Sequence, residues 1–241
     1  MGSSARGGRP GSRGRGTGHA ATDRDSLATY HRRRDVERSG EPGGERRAGT
    51  GGGGPDGDGR HFVVQLHDAR TRHYDFRLQV GDVLRSWAVP KGPSDDPRDK
   101  RLAVPTEDHP LEYEGFEGVI GPGQYGAGTV MVWDIGTFRN VSERHGKTVP
   151  LDEALERGHA SVWLEGQKLH GGYALTRFRG GGDGSDDEAW LLVKRDDRYA
   201  ADRRHPPSDR VRSALTGRTL GQIADDGDGK PSAGGTGRHR S

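Results

Sequence analysis

The chain has 241 residues, 28% hydrophobic and 31% charged, with 42 glycines, no cysteine and a net charge of +2. Without cysteine there are no disulfides and no thiolate metal sites, so any metal must be held by His, Asp or Glu, and a reducing cytoplasm is compatible. No apolar run approaches the roughly 20 residues of a membrane span, and the Gly- and Arg-rich start carries no secretory signal; the expectation is a cytoplasmic protein with no membrane contact.

Averaged over its length the composition leans toward disorder. Yet every tryptophan (Trp87, Trp133, Trp163, Trp190) and every phenylalanine (Phe62, Phe76, Phe116, Phe138, Phe178) lies between residues 62 and 190, so a core forms there. Residues 1–60 carry 12 Arg/Lys against 8 Asp/Glu, a charge of +4, whereas residues 61–180 carry 15 against 17, or −2. The part that folds is slightly acidic, so a phosphate site in it would have to be a local cluster. The basic N-terminal arm would add only salt-sensitive attraction to a polyanion, and a solvated tail explains it as well.

In chain order, residues 1–29 read as a disordered Gly/Arg-rich tail. Residues 30–60 read as a charged segment, 30–42, followed by a Gly-rich linker, 43–60. A β-barrel domain is expected over 61–197. Phe62, Val64 and Leu66 alternate with Val63, Gln65 and His67; Tyr74, Phe76, Leu78 and Val80 alternate with His73, Asp75, Arg77 and Gln79. Both are strand periods. Further strands are predicted over Val83–Val89, Arg101–Thr106, Thr129–Ile135, Ala160–Leu164, Tyr173–Phe178 and Trp190–Val193. Residues 110–126 read as irregular, and Leu151–Arg157 as the one convincing helix. Gly180 to Gly184 reads as a loop and 198–241 as a flexible C-terminal tail. With about eight strands, one or two short helices and no βαβ alternation, the fold class is mainly β: a compact antiparallel β-barrel.

Residues two apart on a strand share a face, so His73, Asp75 and Arg77 stand opposite the apolar Tyr74, Phe76 and Leu78. A five-residue loop lets the first two strands pair and brings His67 near His73. Two imidazoles and a carboxylate suit Mn²⁺, Fe²⁺, Co²⁺ or Zn²⁺ and leave positions open for water and substrate. Arg77 would grip an anionic group with its planar fork. The bland alternative is a solvated face with a cross-strand ion pair. His109 follows Glu107 and Asp108 and could act as a proton donor or phosphate ligand, or simply belong to a polar loop. Lys91 at a strand end commonly just reaches solvent. The glycine-rich run from Gly118 to Gly128 lacks the Gly-Lys-Ser/Thr of a phosphate loop and reads as a turn. No Lys-x-Asp-Gly nucleotidyl-transfer motif is present, which excludes a complete ligase.

The stretch from Phe62 to Thr137 resembles the 3′-phosphoesterase module of bacterial DNA ligase D, the repair ligase that works with Ku in non-homologous end joining. The matching pieces are Phe62-Val63-Val64-Gln65-x-His67-Asp68, His73-Tyr74-Asp75-Phe76-Arg77-Leu78, Ser86-Trp87-Ala88-Val89-Pro90-Lys91-Gly92-Pro93-Ser94, Lys100-Arg101-Leu102-Ala103-Val104, Thr106-Glu107-Asp108-His109-Pro110-Leu111-x-Tyr113 and Tyr125-Gly126-Ala127-Gly128-Thr129-Val130. The likeness extends over about residues 30–195. It implies a β-barrel with the site in a surface groove and dependence on Mn²⁺, with Co²⁺, Zn²⁺ or another divalent cation as substitutes. It implies His67, His73 and Asp75 as metal ligands, and Arg77, His109 and Tyr113 as catalytic groups around the scissile phosphate. It implies supporting or phosphate-contacting roles for Gln65, Lys91, Arg101 and Glu107, with Arg34, Asp35 and Glu41 contributed from upstream. The implied activity removes a terminal 3′ ribonucleoside and then the remaining 3′-phosphate at DNA or RNA ends of primer-template junctions. Leu66 stands where the family often has a basic residue, which predicts a weaker contact to the strand. No polymerase or ligase module follows, so Ku and a separate ligase or polymerase are expected to act in trans.

Two rivals stay open at this point. His73-x-Asp75 with a distal His is also the triad pattern of Fe(II)/2-oxoglutarate oxygenases, which would leave His67 idle. A non-catalytic barrel that binds DNA ends or recruits the ligase is the other.

Overall fold

The alternation around Phe62 and Phe76 becomes a hairpin in a computed structural model, which describes residues 27–44, 59–179, 188–201 and 212–227. Strands β1 (Arg60–Asp68) and β2 (His73–Val80) pair antiparallel with His67 opposite His73 and Gln65 opposite Asp75. Of the tail expected over residues 1–29, residues 1–26 lie outside the described residues, while Ala28 and Thr29 already belong to a helix, Ala28–Arg33; the loop at 180–184, most of the linker and parts of the C-terminal stretch also lie outside.

Ten more strands follow: β3 (Val83–Val89), β4 (Arg101–Pro105), β5 (His109–Pro110), β6 (Gly118–Ile120), β7 (Gly128–Asn140), β8 (Glu143–Arg144), β9 (Lys147–Thr148), β10 (His159–Gly166), β11 (His170–Arg179) and β12 (Glu188–Lys194). Eight of the twelve run β1-β2-β3-β4-β12-β11-β10-β7, and β7 pairs back onto β1 to close an antiparallel barrel. Closure leaves none of the eight with an unpaired edge. The main core fills the barrel with Phe62, Val64, Leu66, Tyr74, Phe76, Trp87, Trp133, Tyr173 and Trp190. Aromatic edges meet faces there, as between Trp87 and Trp190 at 5.9 Å. The helix Leu151–Glu156 adds Leu151, Ala154 and Leu155 to the same core.

Three further elements differ from the sequence reading. The strand expected to end at Ile135 runs on to Asn140 through Gly136. A Cβ on Gly136 would sit 2.2 Å from the Glu165 carbonyl oxygen, so this glycine admits β10 at close approach and does not break the strand. The irregular stretch after Pro110 contains a 3₁₀ turn, Leu111–Gly115, and the short β6. Within the stretch read as a tail, Leu220–Asp226 is a helix whose Ile223 is buried in the main core. Its start was legible: Thr219 accepts the Gln222 N–H, and the Gln222 side chain answers back to the Thr219 N–H, a capping box.

A second core cluster lies on the outer face of β1, β3 and β7, where Val63, Leu84 and Val132 meet Tyr30 and Tyr113. The cover over that face is the helix Ala28–Arg33, the short helix Val36–Ser39 and the 3₁₀ turn. Between this cover and the barrel wall lies the polar face of β2. No helix among the described residues is long and apolar enough to cross a membrane.

Candidate active site

Strand periodicity turns Gln65 and His67 of β1 and His73, Asp75 and Arg77 of β2 out of the barrel, yet Gln65, His67, Asp75 and Arg77 are all buried under the cover. One ligand atom each from His67, His73 and Asp75 lies within 4.8 Å of the other two. The two carboxylate oxygens are shared out: Asp75 Oδ2 is 3.8 Å from His67 Nδ1 and Oδ1 is 3.8 Å from His73 Nε2.

The remaining ring nitrogens fix both imidazoles. His67 Nε2 lies 2.8 Å from the Gly126 carbonyl, and His73 Nδ1 lies 2.8 Å from the Thr71 carbonyl. A carbonyl only accepts, so those nitrogens carry the protons, and His67 Nδ1 and His73 Nε2 present lone pairs toward Asp75. Backbone carbonyls that orient imidazoles in this way are the usual support of metal-binding histidines. Burial, only partly opposed by the Asp75 carboxylate, lowers the His67 pKa and keeps the ring neutral. Two imidazoles and a carboxylate form a donor set suited to a divalent transition ion.

Arg77 is locked beside this trio. Its Nε donates to Gln65 Oε1 at 2.8 Å, Nη1 to Ser86 Oγ at 2.8 Å, and Nη2 to Asp75 Oδ2 at 3.1 Å. Gln65 is itself anchored through its amide to the carbonyls of Tyr113 at 2.9 Å and Phe116 at 3.1 Å. Arg77 Nη1 also approaches His109 Nδ1 at 2.8 Å, and its guanidinium stands 5.0 Å over the Tyr113 ring.

His109 is wedged between two guanidiniums. Its Nδ1 also lies 2.8 Å from the Glu107 carbonyl, and Arg34 Nη2 stands 3.2 Å from its Nε2. Burial first, then Arg77 and Arg34, hold its pKa well below the ordinary imidazole value. The ring is therefore neutral and tied at both nitrogens, which favours a positioning role over proton donation.

Arg34 brings the N-terminal segment into the site. Its Nη1 donates to Glu107 Oε1 at 2.6 Å and its Nε to Glu41 Oε1 at 2.9 Å. Glu41 Oε1 also accepts the Tyr113 hydroxyl at 3.0 Å, while its Oε2 is buried with no hydrogen-bond partner. Burial, reinforced by Glu41, pushes the Tyr113 phenol well up, so it stays protonated. Gln65, His67, His73, Asp75, Arg77, Glu107, His109, Tyr113, Arg34 and Glu41 thus form one connected cluster.

Three expected residues do not join it. Arg101 bonds Asp99 at 2.7 Å at the start of β4, and Lys91 and Asp35 are exposed. Leu66 points into the barrel core, so the expected weakening of a strand contact at that position does not arise. Sequence reasoning missed Ser86, Tyr30, Arg33 and Tyr125. Ser86 had a signal, since it alternates with Trp87 out of the core; the other three act through contacts distant in sequence.

The model for the DNA ligase D 3′-phosphoesterase domain matches residues 65–177. Over 201 residues the chain is 45% identical to the multifunctional non-homologous end joining protein LigD of Pseudomonas aeruginosa, covering 80% of this chain and 22% of that protein. It is 44% identical over 156 residues to the multifunctional non-homologous end joining DNA repair protein LigD of Mycobacterium tuberculosis, and 40% over 157 residues to the LigD of Mycolicibacterium smegmatis. Each of those two alignments takes in 65% of this chain, and 19% and 20% of the respective relative. The chain spans about a fifth of the length of the relatives it matches.

Proposed function

We propose that the chain, which matches the DNA ligase D 3′-phosphoesterase domain over residues 65–177, is a divalent-metal-dependent hydrolase that trims nucleic acid 3′ ends during double-strand break repair. Its substrates would be DNA or RNA strand ends at primer-template junctions. One step frees a terminal 3′ ribonucleoside to leave a 3′-phosphate, and a second leaves a 3′-hydroxyl. Ku and a ligase or polymerase are the partners this chemistry would serve.

The observation that carries the reading is the trio His67, His73 and Asp75, with both imidazoles pre-oriented by backbone carbonyls beside a buried guanidinium. A bound divalent ion, Mn²⁺ first, would supply Lewis-acid charge neutralisation and a water of lowered pKa. The protein's own contribution is positioning. Arg77 has five N–H donors, of which Gln65, Ser86 and Asp75 take three; the second Nη2 hydrogen is left for a phosphate oxygen beside the trio. His109 and Tyr113 hold that guanidinium in place, and Arg34 holds His109. The cover formed by the N-terminal helix and the 3₁₀ turn limits water around these charges, which strengthens each interaction.

The test is direct. The pure protein is incubated with Mn²⁺ and a primer-template ending in a 3′ ribonucleotide or a 3′-phosphate. Shortened or dephosphorylated ends are expected, and His67→Ala should abolish both. Unchanged ends in both substrates would refute the enzyme, and retarded migration without cleavage would favour a binding module. A mild effect of His67→Ala would favour an oxygenase-type triad.

A further inference from the structure

Tyr125 is a large aromatic side chain left 47% exposed, and no step above uses it. It sits one residue before Gly126, whose carbonyl takes the His67 Nε2 hydrogen. A Cβ at Gly126 would lie 3.7 Å from the His67 ring, so the turn that carries Tyr125 packs directly on a candidate metal ligand. Nor does the ring hang free. Its hydroxyl accepts from Arg33 Nη1 at 2.8 Å, and the guanidinium carbons of Arg33 and Arg34 stand 5.1 and 5.2 Å from its centroid. Arg33 is braced by Glu107 at 3.0 Å, and its own side chain is nearly half exposed. The protein therefore fixes a half-exposed aromatic ring, flanked by cations, beside the candidate site. Holding such a ring still before any ligand arrives lowers the ordering cost of binding.

We propose that Tyr125 is the stacking platform for a nucleobase of the substrate strand adjacent to the reacting phosphate, with Arg33 as the neighbouring cation. The inference rests on the phosphoesterase reading for the identity of the ligand. A nucleobase is the occupant because any strand end that places a phosphate beside Arg77 carries a flat π surface one sugar away. A stacked base needs only an aromatic face and tolerates any sequence, as general end processing requires.

The test measures binding without turnover. Anisotropy of a labelled primer-template is followed in EDTA, with either a normal 3′-terminal nucleotide or an abasic one. Base stacking contributes about 1–3 kcal/mol by alanine substitution, which converts to roughly 5- to 150-fold. Tyr125→Ala is expected to weaken the base-bearing end by a factor in that range and the abasic end by less than about two-fold. Tyr125→Phe keeps the face, loses the Arg33 hydrogen bond, and should stay within a few-fold of the wild type on both ends. Equal weakening of both ends by Tyr125→Ala would show that Tyr125 only braces Arg33 and Arg34, and no weakening of either would show that it binds nothing; each outcome overturns the proposal. Because the EDTA measurement needs no cleavage, a wild-type protein that binds but never cleaves would sink the phosphoesterase reading while leaving the stacking result intact.

Discussion

At the scale of single residues, Arg77 shows how a functional cation is also structural. Asp75, Gln65 and Ser86 all rely on its donors inside a buried face. Removing one partner of a buried charged network typically costs about 3–5 kcal/mol, because the other charge is left uncompensated. Arg77→Met is therefore expected to lower the melting temperature by roughly 10 °C as well as to abolish cleavage. An unchanged melt by circular dichroism would mean that the network adds nothing to folding. His109 gives the same cluster a pH signature. Its folded pKa is depressed below the unfolded value of 6.5, so the unfolded chain takes up a proton that the folded chain refuses. The associated stability is fully present above about 6.5 and is lost as the pH falls below it. His67, also depressed, acts in the same direction. Thermal melts between pH 7 and pH 5 should drop more steeply for the wild type than for His109→Asn; parallel curves would contradict the depressed imidazole. The trio itself was legible because strand period two fixes faces without any structure. What periodicity could not tell was that this outward face is buried, since its cover comes from residues more than thirty positions upstream and downstream.

Among elements, the hairpin of β1 and β2 and the helix at Leu151 were read directly, because their apolar residues repeat at a single period. The segment Ala28–Gly44 was not. Its helix buries little besides Tyr30, and its value to the site lies in two polar residues, Arg34 and Glu41, whose partners Glu107, His109 and Tyr113 are about seventy positions away. Only the family resemblance pointed to them. The barrel strands close without this segment. A chain beginning at residue 59 is thus expected to retain its β-sheet signal in far-ultraviolet circular dichroism while losing at least about 10²-fold in cleavage rate, the usual scale for removing positioning contacts. Retained activity would place the segment outside the catalytic unit. Gly136 is the converse case, a residue just beyond the expected strand end that the sheet uses as an opening. Gly136→Ala forces β7 and β10 apart and should destabilise the fold by about 1–3 kcal/mol, measured by urea unfolding.

For the whole molecule, the site lies where the barrel closes. β1 lies between β7 and β2, and the turn before β7 supplies the carbonyl that orients His67. A ligand bound at the trio would therefore join the first strands of the domain to the middle of the chain, and it would exist only in the folded state. Such a ligand stabilises by RT ln(1 + [L]/Kd), about 2.7 kcal/mol at a hundredfold excess over Kd. The melting temperature should rise with added Mn²⁺ in a concentration-dependent way, and EDTA should reverse the rise. In Asp75→Asn the rise should vanish, because the two imidazoles keep their carbonyl supports but lose the one anionic donor between them. Equal shifts in the wild type and in Asp75→Asn would locate the ion elsewhere on an acidic surface, and the trio would then be a hydrogen-bonded face and no metal centre.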